Sequence, residues 1–213
     1  MDGCVTTFSI IAGSAGAGFE NQVAYILGIA NLVADGFSMA VAQYQSQGLL
    51  ERNWQRTQRD EENLLVADFD SERRELEIIF REKGLPEDTI KSLLNALRKK
   101  PKKWVETMLM EEHGLSKFPP HARASSLMTF GGFLGGGGAP LFAFWISAKL
   151  SFGSPLLMST LTAAVLFFLL GFYKERGIRM SLRFKNGLEA LVQGGLASGL
   201  AFWVGFKLRG FIS

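Results

Sequence analysis

Residues Ala124–Ala148 read ASSLMTFGGFLGGGGAPLFAFWISA and contain no charged side chain. The stretch before them, Gly48–Arg123, holds 15 Lys and Arg residues and 15 Asp and Glu residues. Because a helix that crosses a membrane needs about 20 mostly apolar residues, the first stretch indicates a membrane span and the second a water-facing domain. The hydrophobic fraction of the whole chain, 47%, averages over these two environments and hides the division.

Five apolar segments qualify, or nearly qualify, as spans: Cys4–Phe19, Val23–Gln43, Ala124–Ala148, Pro155–Tyr173 and Leu188–Phe206. No basic stretch and no small-residue cleavage pattern marks the first segment as a signal peptide, so we expect it to remain as a short span. The sequence predicts an all-α membrane protein with five transmembrane helices and a cytosolic three-helix domain between spans two and three. The predicted parts are residues 1–47 for spans one and two, 48–123 for the cytosolic domain and 124–213 for spans three to five.

The charges of the loops predict the orientation. If five spans alternate, the middle domain and the loop 174–185 lie on the same side of the membrane. This loop has a single acid, Glu175, and five cations: Lys174, Arg176, Arg179, Arg183 and Lys185. The loops on the other side offer only Lys149. The positive-inside rule therefore places the N-terminus and the middle domain in the cytosol, although Lys207 and Arg209 argue weakly against it. The compact architecture favours a bacterial inner membrane.

The composition argues against two other classes of protein. The net charge of +3 comes from the membrane-flanking loop and the C-terminal end, since the middle domain is balanced. Its basic cluster around Pro101 is typical of a solvated helix end near anionic lipid rather than of a nucleic-acid interface. We expect no enzyme, because His113 and His121 are the only histidines and form no His-Glu-x-x-His motif. The single cysteine, Cys4, excludes a disulfide within the chain.

The middle domain has the pattern of three helices. A charged helix is predicted over Asp60–Lys83, ended by Gly84. Pro86 opens a second helix that closes before Pro101. A third helix is predicted over Lys102–His113, with Gly114 at its C-terminal cap.

Carboxylates and thioethers on the first and third of these helices are candidate metal ligands. Glu72 and Glu75 share a helix face, and so do Met108 and Glu112. Oxygen ligands with a sulfur ligand favour Mn(II) or Fe(II) over Mg(II) and Ca(II). The alternative remains open that the glutamates are solvated ion pairs and the methionines core residues. The candidate ligands are Glu72, Glu75, Glu77, Met108, Glu111 and Glu112.

A polar stripe follows the second span, where Asn31, Asp35, Met39 and Gln43 recur every four residues. An Asp inside a membrane costs about 2.5–3.5 kcal/mol on insertion scales, so it is retained where it faces a partner, a cavity or an ion path. Alternatives remain for each residue: Asn31 and Gln43 form hydrogen bonds between helices, Met39 packs against its neighbours, and Asp35 forms an ion pair. Because no basic residue lies in the middle of a span, the pattern favours an ion path for Asp35.

The first span has a face of small and polar residues formed by Thr6, Ser9, Gly13 and Gly16, which follow Asp2. Faces of this kind allow helices to approach closely. We therefore expect the first span to pack against a partner helix, with its own symmetry mate as one candidate.

Two segments carry a resemblance to a known family. Asp2–Phe8 (DGCVTTF) is followed by Ile11-Ala12-Gly13, and Ala30–Ala40 (ANLVADGFSMA) is followed by Tyr44 and Ser46. Together they resemble the vacuolar iron transporter family, also called nodulin-21-like. The order of the parts agrees over essentially the whole chain.

The resemblance implies a homodimeric exporter that moves Fe(II), and often Mn(II), out of the cytosol in exchange for protons. It places the ion path between the two subunits. The small face of the first span makes that span the predicted dimer contact. The ions are cargo and no resident cofactor is expected. Co(II) and Zn(II) remain candidate ions, and a membrane-anchored metal buffer or sensor remains an alternative function.

The resemblance also implies roles for individual residues. Asp2 and Met39 match the pair that binds the ion in the membrane. Asn31 stands where eukaryotic members tend to carry Glu, so Asp35, one turn along the same stripe, is the candidate replacement for proton coupling alongside Asp2. In the cytosolic domain the matching ligand positions are Glu72, Glu75, Met108 and Glu112.

Overall fold

The computed structural model describes residues 1–151, 153–174, 177 and 179–212. Glu175 and Arg176, which the charge argument used, lie outside the described residues. Within the described ranges all regular structure is helical: α1 (Asp2–Ala17), α2 (Asn21–Ala67), α3 (Phe69–Glu82), α4 (Glu87–Arg98), α5 (Pro101–Glu111), α6 (Ala122–Leu150), α7 (Pro155–Tyr173) and α8 (Met180–Ile212).

The chain divides into two compact units. The first unit is formed by Met1–Ala42 together with Ser126–Ser213, and the second by Gln43–Ser125. Helices α2 and α6 each contribute to both units.

Four helices in the described part of the chain are long and apolar enough to cross a membrane: Asn21–Ala67, Ala122–Leu150, Pro155–Tyr173 and Met180–Phe211. They contain the predicted spans two to five, in agreement with an all-α membrane protein. Helix α1 has 16 residues, which extend for about 24 Å, against a hydrocarbon core of about 30 Å. The span predicted over Cys4–Phe19 therefore remains a prediction.

In the first unit, α1 packs side by side with α8. The hydroxyls of Ser9 and Ser198 lie 3.3 Å apart, and a Cβ added to Gly16 would lie 2.2 Å from the Phe202 carbonyl oxygen. At these contacts the residue numbers increase in the same direction along both helices, so α1 and α8 run parallel. The small face predicted on the first span is thus in contact with α8 of the same chain.

Contacts between the other helices of this unit also show the direction in which each helix runs. A Cβ on Gly137 of α6 would lie 2.5 Å from the Gly3 carbonyl oxygen, while Ile11 shares a buried cluster with Leu141 and Phe144 further along α6. Helix α6 is therefore parallel to α1. In α2, Gly28 meets Leu141 and Gly36 meets Phe133; in α7, Gly171 meets Asn186 and Phe167 meets Gly194 of α8. Helices α2 and α7 therefore run against their neighbours.

The close approach of α1 and α8 gives a stability prediction. A Cβ on Gly205 would lie 2.1 Å from the Gly13 carbonyl oxygen, which is backbone and cannot rotate away. We expect Gly205→Ala to cost about 1–3 kcal/mol of folding free energy through overpacking and to lower Tm by about 2–12 °C. Thermal unfolding of the detergent-solubilised protein measures this. The matched control is Gly199→Ala on the same helix, where nothing lies within 4 Å of an added Cβ; equal Tm values for the two variants would contradict the prediction.

In the second unit, the prediction of one continuous helix over Asp60–Lys83 is wrong. Helix α2 ends at Ala67, and α3 begins at Phe69. The side chain of Asp68 accepts a hydrogen bond from the Ser71 backbone N–H at 3.1 Å, which satisfies one of the free N–H groups at the start of α3 and favours a new helix there. The predicted stop at Gly84 is confirmed by its φ of +81°, and α4 and α5 begin at the proline signals and end close to the predicted residues.

The second unit has its own apolar core. The residues of this core are Leu76, Phe80, Ile90, Leu94, Trp104 and Met108. They come from α3, α4 and α5, whose apolar stripes face one another. This core holds the three short helices at the positions that shape the site described next.

Candidate functional site

A cavity of about 430 Å³ in the second unit is lined by nine polar or charged residues and by Leu64. Its acidic lining residues are Asp60, Glu61, Asp68, Glu72, Glu75 and Glu112. His113 also lines the cavity, and none of the described residues that line it is Lys or Arg. The cavity therefore concentrates negative charge without a basic side chain in its lining, a composition suited to a cation.

Three segments supply these side chains. Glu61 lies near the C-terminal end of α2, while Glu72 and Glu75 lie about one turn apart on α3. Glu112 caps the C-terminal end of α5, and His113 follows it. The chain then turns at Gly114, whose φ is +62°, and the Leu115 N–H donates to the Leu109 carbonyl at 2.8 Å. This closure of α5 holds Glu112 and His113 at the cavity.

Two of the carboxylates are buried and incompletely paired. Glu61 is 4% exposed and Glu72 is 3% exposed. When both carboxylates are ionised, Oε2 of each has no hydrogen-bond partner. A buried acceptor left unpaired costs about 1–3 kcal/mol, and more when it is charged. Such a cost is compensated if a cation takes up the free lone pairs, so the pair has the features of a metal site.

His113 connects this pair to the end of α5. Its Nε2 lies 2.8 Å from Glu61 Oε1 and 3.7 Å from Glu112 Oε2. One ligand atom from each of Glu61, Glu112 and His113 lies within 4.8 Å of the others. Atoms at this spacing can reach one common ion.

Burial, together with neighbouring negative charges, raises the pKa of two carboxyl groups. Burial, then the charges of Glu61, Glu75 and Glu112, and last a hydrogen bond that the protonated Glu72 carboxyl donates to Glu61, raise the pKa of Glu72 from 4.5 to about 7. Burial also raises the pKa of Glu112; His113 opposes this shift, and Glu61 and Glu75 add to it. Glu72 therefore exchanges a proton near neutral pH, where its carboxylate is also available to a metal ion.

This shift predicts that metal binding strengthens as pH rises. An ion that binds at Glu72 must displace its proton when the pH is below about 7. From about pH 6 to about pH 8 we expect the affinity for Mn(II) to rise about tenfold through Glu72 alone. Titration calorimetry at several pH values measures the affinity and the protons released. The pKa of Glu87 is lowered by a hydrogen bond from Arg81, so Glu87→Gln is the control that keeps the pH dependence; a flat profile in the parent protein would contradict the prediction.

The structure brings together three of the six ligands predicted in this domain, Glu72, Glu75 and Glu112. Glu77 forms an ion pair with Arg81 at 3.0 Å, and Glu111 forms one with Lys83. Met108 is fully buried in the apolar core of the second unit. Ligand roles for these three residues remain predictions.

Among the acidic and histidine residues that line the cavity, four were not predicted as ligands: Asp60, Glu61, Asp68 and His113. A possible signal for Glu61 is the acidic run Asp60-Glu61-Glu62, together with the helix break at Asp68. For His113 the signal is its place directly after Glu112, at the end of a helix. Both signals depend on where the helices end.

In the first unit, two members of the polar stripe of α2 contact each other. The Asn31 side-chain amide Nδ2 donates to Asp35 Oδ2 at 2.8 Å, within one helix. Met39 is 42% exposed, and Asp2 is exposed at the start of α1. A shared site for Asp2 and Met39 remains a prediction, as does proton coupling through Asp2, Asp35 and Asn31.

Comparison with known proteins gives consistent results. The sequence profile of the VIT family matches residues 1–206. Vacuolar iron transporter 1 of Eucalyptus grandis is 28% identical over 206 residues, which cover 94% of this chain and 80% of that protein. Vacuolar iron transporter of Toxoplasma gondii is 31% identical over 219 residues, which cover 98% of this chain and 72% of that protein.

Proposed function

Because this chain belongs to the VIT family, we propose that it is a membrane transporter that moves Fe(II), and also Mn(II), out of the cytosol in exchange for protons. The relatives named above are called vacuolar iron transporters, and four helices of this chain are long and apolar enough to cross a membrane. Iron as the ion, the direction of transport and the exchange for protons are parts of the proposal.

The observation that carries the proposal is the acidic cavity of the second unit. Two buried carboxylates there, Glu61 and Glu72, each have an oxygen without a hydrogen-bond partner, and Glu75 and Glu112 line the same space. Carboxylate oxygens suit Mn(II) among the transition metals, and iron is the ion in the names of the relatives. In the proposed mechanism these four glutamates capture the ion on the cytosolic side.

The ion then passes to Asp2 and Met39 in the membrane. Protons and metal ions compete for the same carboxylate oxygens, so proton uptake from the far side at Asp2 or Asp35 releases the metal. The hydrogen bond from Asn31 fixes one oxygen of Asp35 and leaves the other for a proton or an ion. This competition is the proposed coupling.

The helix directions support α1 as the first of five spans in the proposed topology. Consecutive spans alternate in direction, so spans one, three and five must be parallel. Helix α1 is parallel to α6 and to α8 through the contacts of Gly3 with Gly137 and of Gly16 with Phe202. The proposal further includes a cytosolic N-terminus and middle domain, and a bacterial inner membrane. It also includes a homodimer through the first span, by a part of α1 other than the small face that packs on α8.

Metal flux in proteoliposomes tests the proposed function. Purified full-length protein is reconstituted, and Fe(II) or Mn(II) movement is followed with an enclosed fluorescent indicator under an imposed pH gradient. We expect flux that increases with the gradient and disappears when a protonophore collapses it. Metal binding without flux above that of protein-free liposomes would contradict transport and support a membrane-anchored buffer or sensor instead.

A further inference from the structure

We propose that His113 is a ligand of the transported ion and that its imidazole nitrogen shifts the preference of the acidic cavity toward Co(II) and Zn(II) relative to Mn(II). The inference rests on the proposed function, since it adds a ligand to the same site. It starts from the position of one ring nitrogen between two carboxylates.

The distances around His113 Nε2 suit a common ion. Two ligand atoms that each lie about 2.1 Å from one metal are about 3.0 Å apart in an octahedral arrangement and about 3.4 Å apart in a tetrahedral one. Nε2 lies 2.8 Å from Glu61 Oε1 and 3.7 Å from Glu112 Oε2. The ligand atoms of the third pair, Glu61 and Glu112, lie within 4.8 Å of each other. Rotation of the exposed Glu112 side chain therefore brings all three atoms to bonding distance of an ion that replaces the hydrogen between Nε2 and Glu61.

The surroundings of His113 favour a role as a metal ligand over a role that only positions Glu61. The contact with His113 engages only Oε1 of Glu61 and leaves the buried Oε2 without a partner, so this carboxylate keeps a free oxygen for a cation next to the ring. Glu72 Oε2, in the same cavity, is also without a partner. Free acceptor oxygens beside an imidazole nitrogen form a mixed nitrogen and oxygen donor set.

A nitrogen donor changes the order of metal preference. Carboxylate sites suit Mn(II), whereas imidazole favours the later first-row ions and zinc, in line with the Irving–Williams order. Loss of the imidazole should therefore weaken Zn(II) and Co(II) binding more than Mn(II) binding. A residue that acted only through the shape of the cavity would affect the three ions alike.

The first test uses competition binding of Mn(II), Co(II) and Zn(II) to the full-length protein in detergent, purified without a histidine tag. We expect His113→Gln to lower Zn(II) and Co(II) affinity about tenfold or more and Mn(II) affinity less than about threefold. The matched control is His121→Gln, which removes the only other histidine, an exposed one, and should change nothing. Equal losses for the three ions, or no loss, would overturn the inference.

The second test leaves His113 intact. In the His121→Gln protein, His113 is the only histidine, so pulsed electron paramagnetic resonance with Cu(II) as the probe reports on it alone. We expect the modulation characteristic of the remote nitrogen of a coordinated imidazole; a spectrum without it would overturn the inference.

If the protein binds and moves metal but His113 is not a ligand, only this inference fails. If the parent protein shows neither metal binding nor flux, the proposed function fails as well.

Discussion

Replacing Glu61 and Glu72 together by glutamine should remove high-affinity metal binding from the protein. The two side chains are the buried carboxylates of the acidic cavity, and each has an oxygen without a partner. Loss of even an outer-shell partner costs a metal site about 10–100-fold in affinity, so we expect the loss of two direct ligands to cost at least about 100-fold for Mn(II) and Fe(II).

The same double variant should not be less stable than the parent protein without metal. Folding raises the pKa of Glu72 from 4.5 to about 7, so the folded state holds its proton more tightly than the unfolded state does. The free energy of unfolding therefore falls as pH rises from 4.5 to about 7 and stays lowered above that range. A neutral glutamine at position 72 does not ionise, so the variant should keep or gain stability above about pH 7.

Calorimetric titration and thermal unfolding of the metal-free protein at about pH 8 measure the two effects together. The control is Glu62→Gln, which changes the same charge on the neighbouring residue of α2, where the side chain is exposed and accepts a hydrogen bond from Gln58. Metal affinity equal to that of the control would place the site elsewhere. Lost affinity together with a strongly lowered Tm would indicate a structural role instead.

The second large effect concerns the membrane-spanning unit. We expect Asp2→Ala and Met39→Ala each to lower Fe(II) flux in proteoliposomes at least about tenfold, because each removes a proposed ligand of the membrane site. Metal binding at the acidic cavity should persist in both variants, since neither residue lines that cavity. Ser38→Ala, at the neighbouring exposed position of α2, is the control.

The Asp35→Asn variant distinguishes the path of the metal ion from the coupling of its transport to protons. An asparagine still meets Asn31 but cannot take up a proton, so flux should lose its dependence on the pH gradient while some flux down a metal gradient remains. Parent-like flux in both the Asp2 and the Met39 variants would refute the proposed path. Unchanged gradient dependence in Asp35→Asn would assign the coupling to another residue.

The sequence alone determined the features that depend on neighbouring residues. Hydropathy over about 20 residues marked the segments within α2, α6, α7 and α8. Proline and glycine signals marked α4 and α5, because these residues act on the backbone at their own positions. The pairing of Glu72 with Glu75 followed from the helical period.

Tertiary structure alone decided which helix faces meet. On the predicted continuous helix, Glu61 and Glu72 would lie about 16 Å apart along the axis, whereas the break at Asp68 lets both line one cavity. Met108 shares a face with Glu112 by spacing, yet packing turns its side chain into the apolar core. His113 gained its place because α5 ends at Glu111 and the chain turns at Gly114. A helical period states which residues share a face, but only the packing of several helices decides what that face contacts.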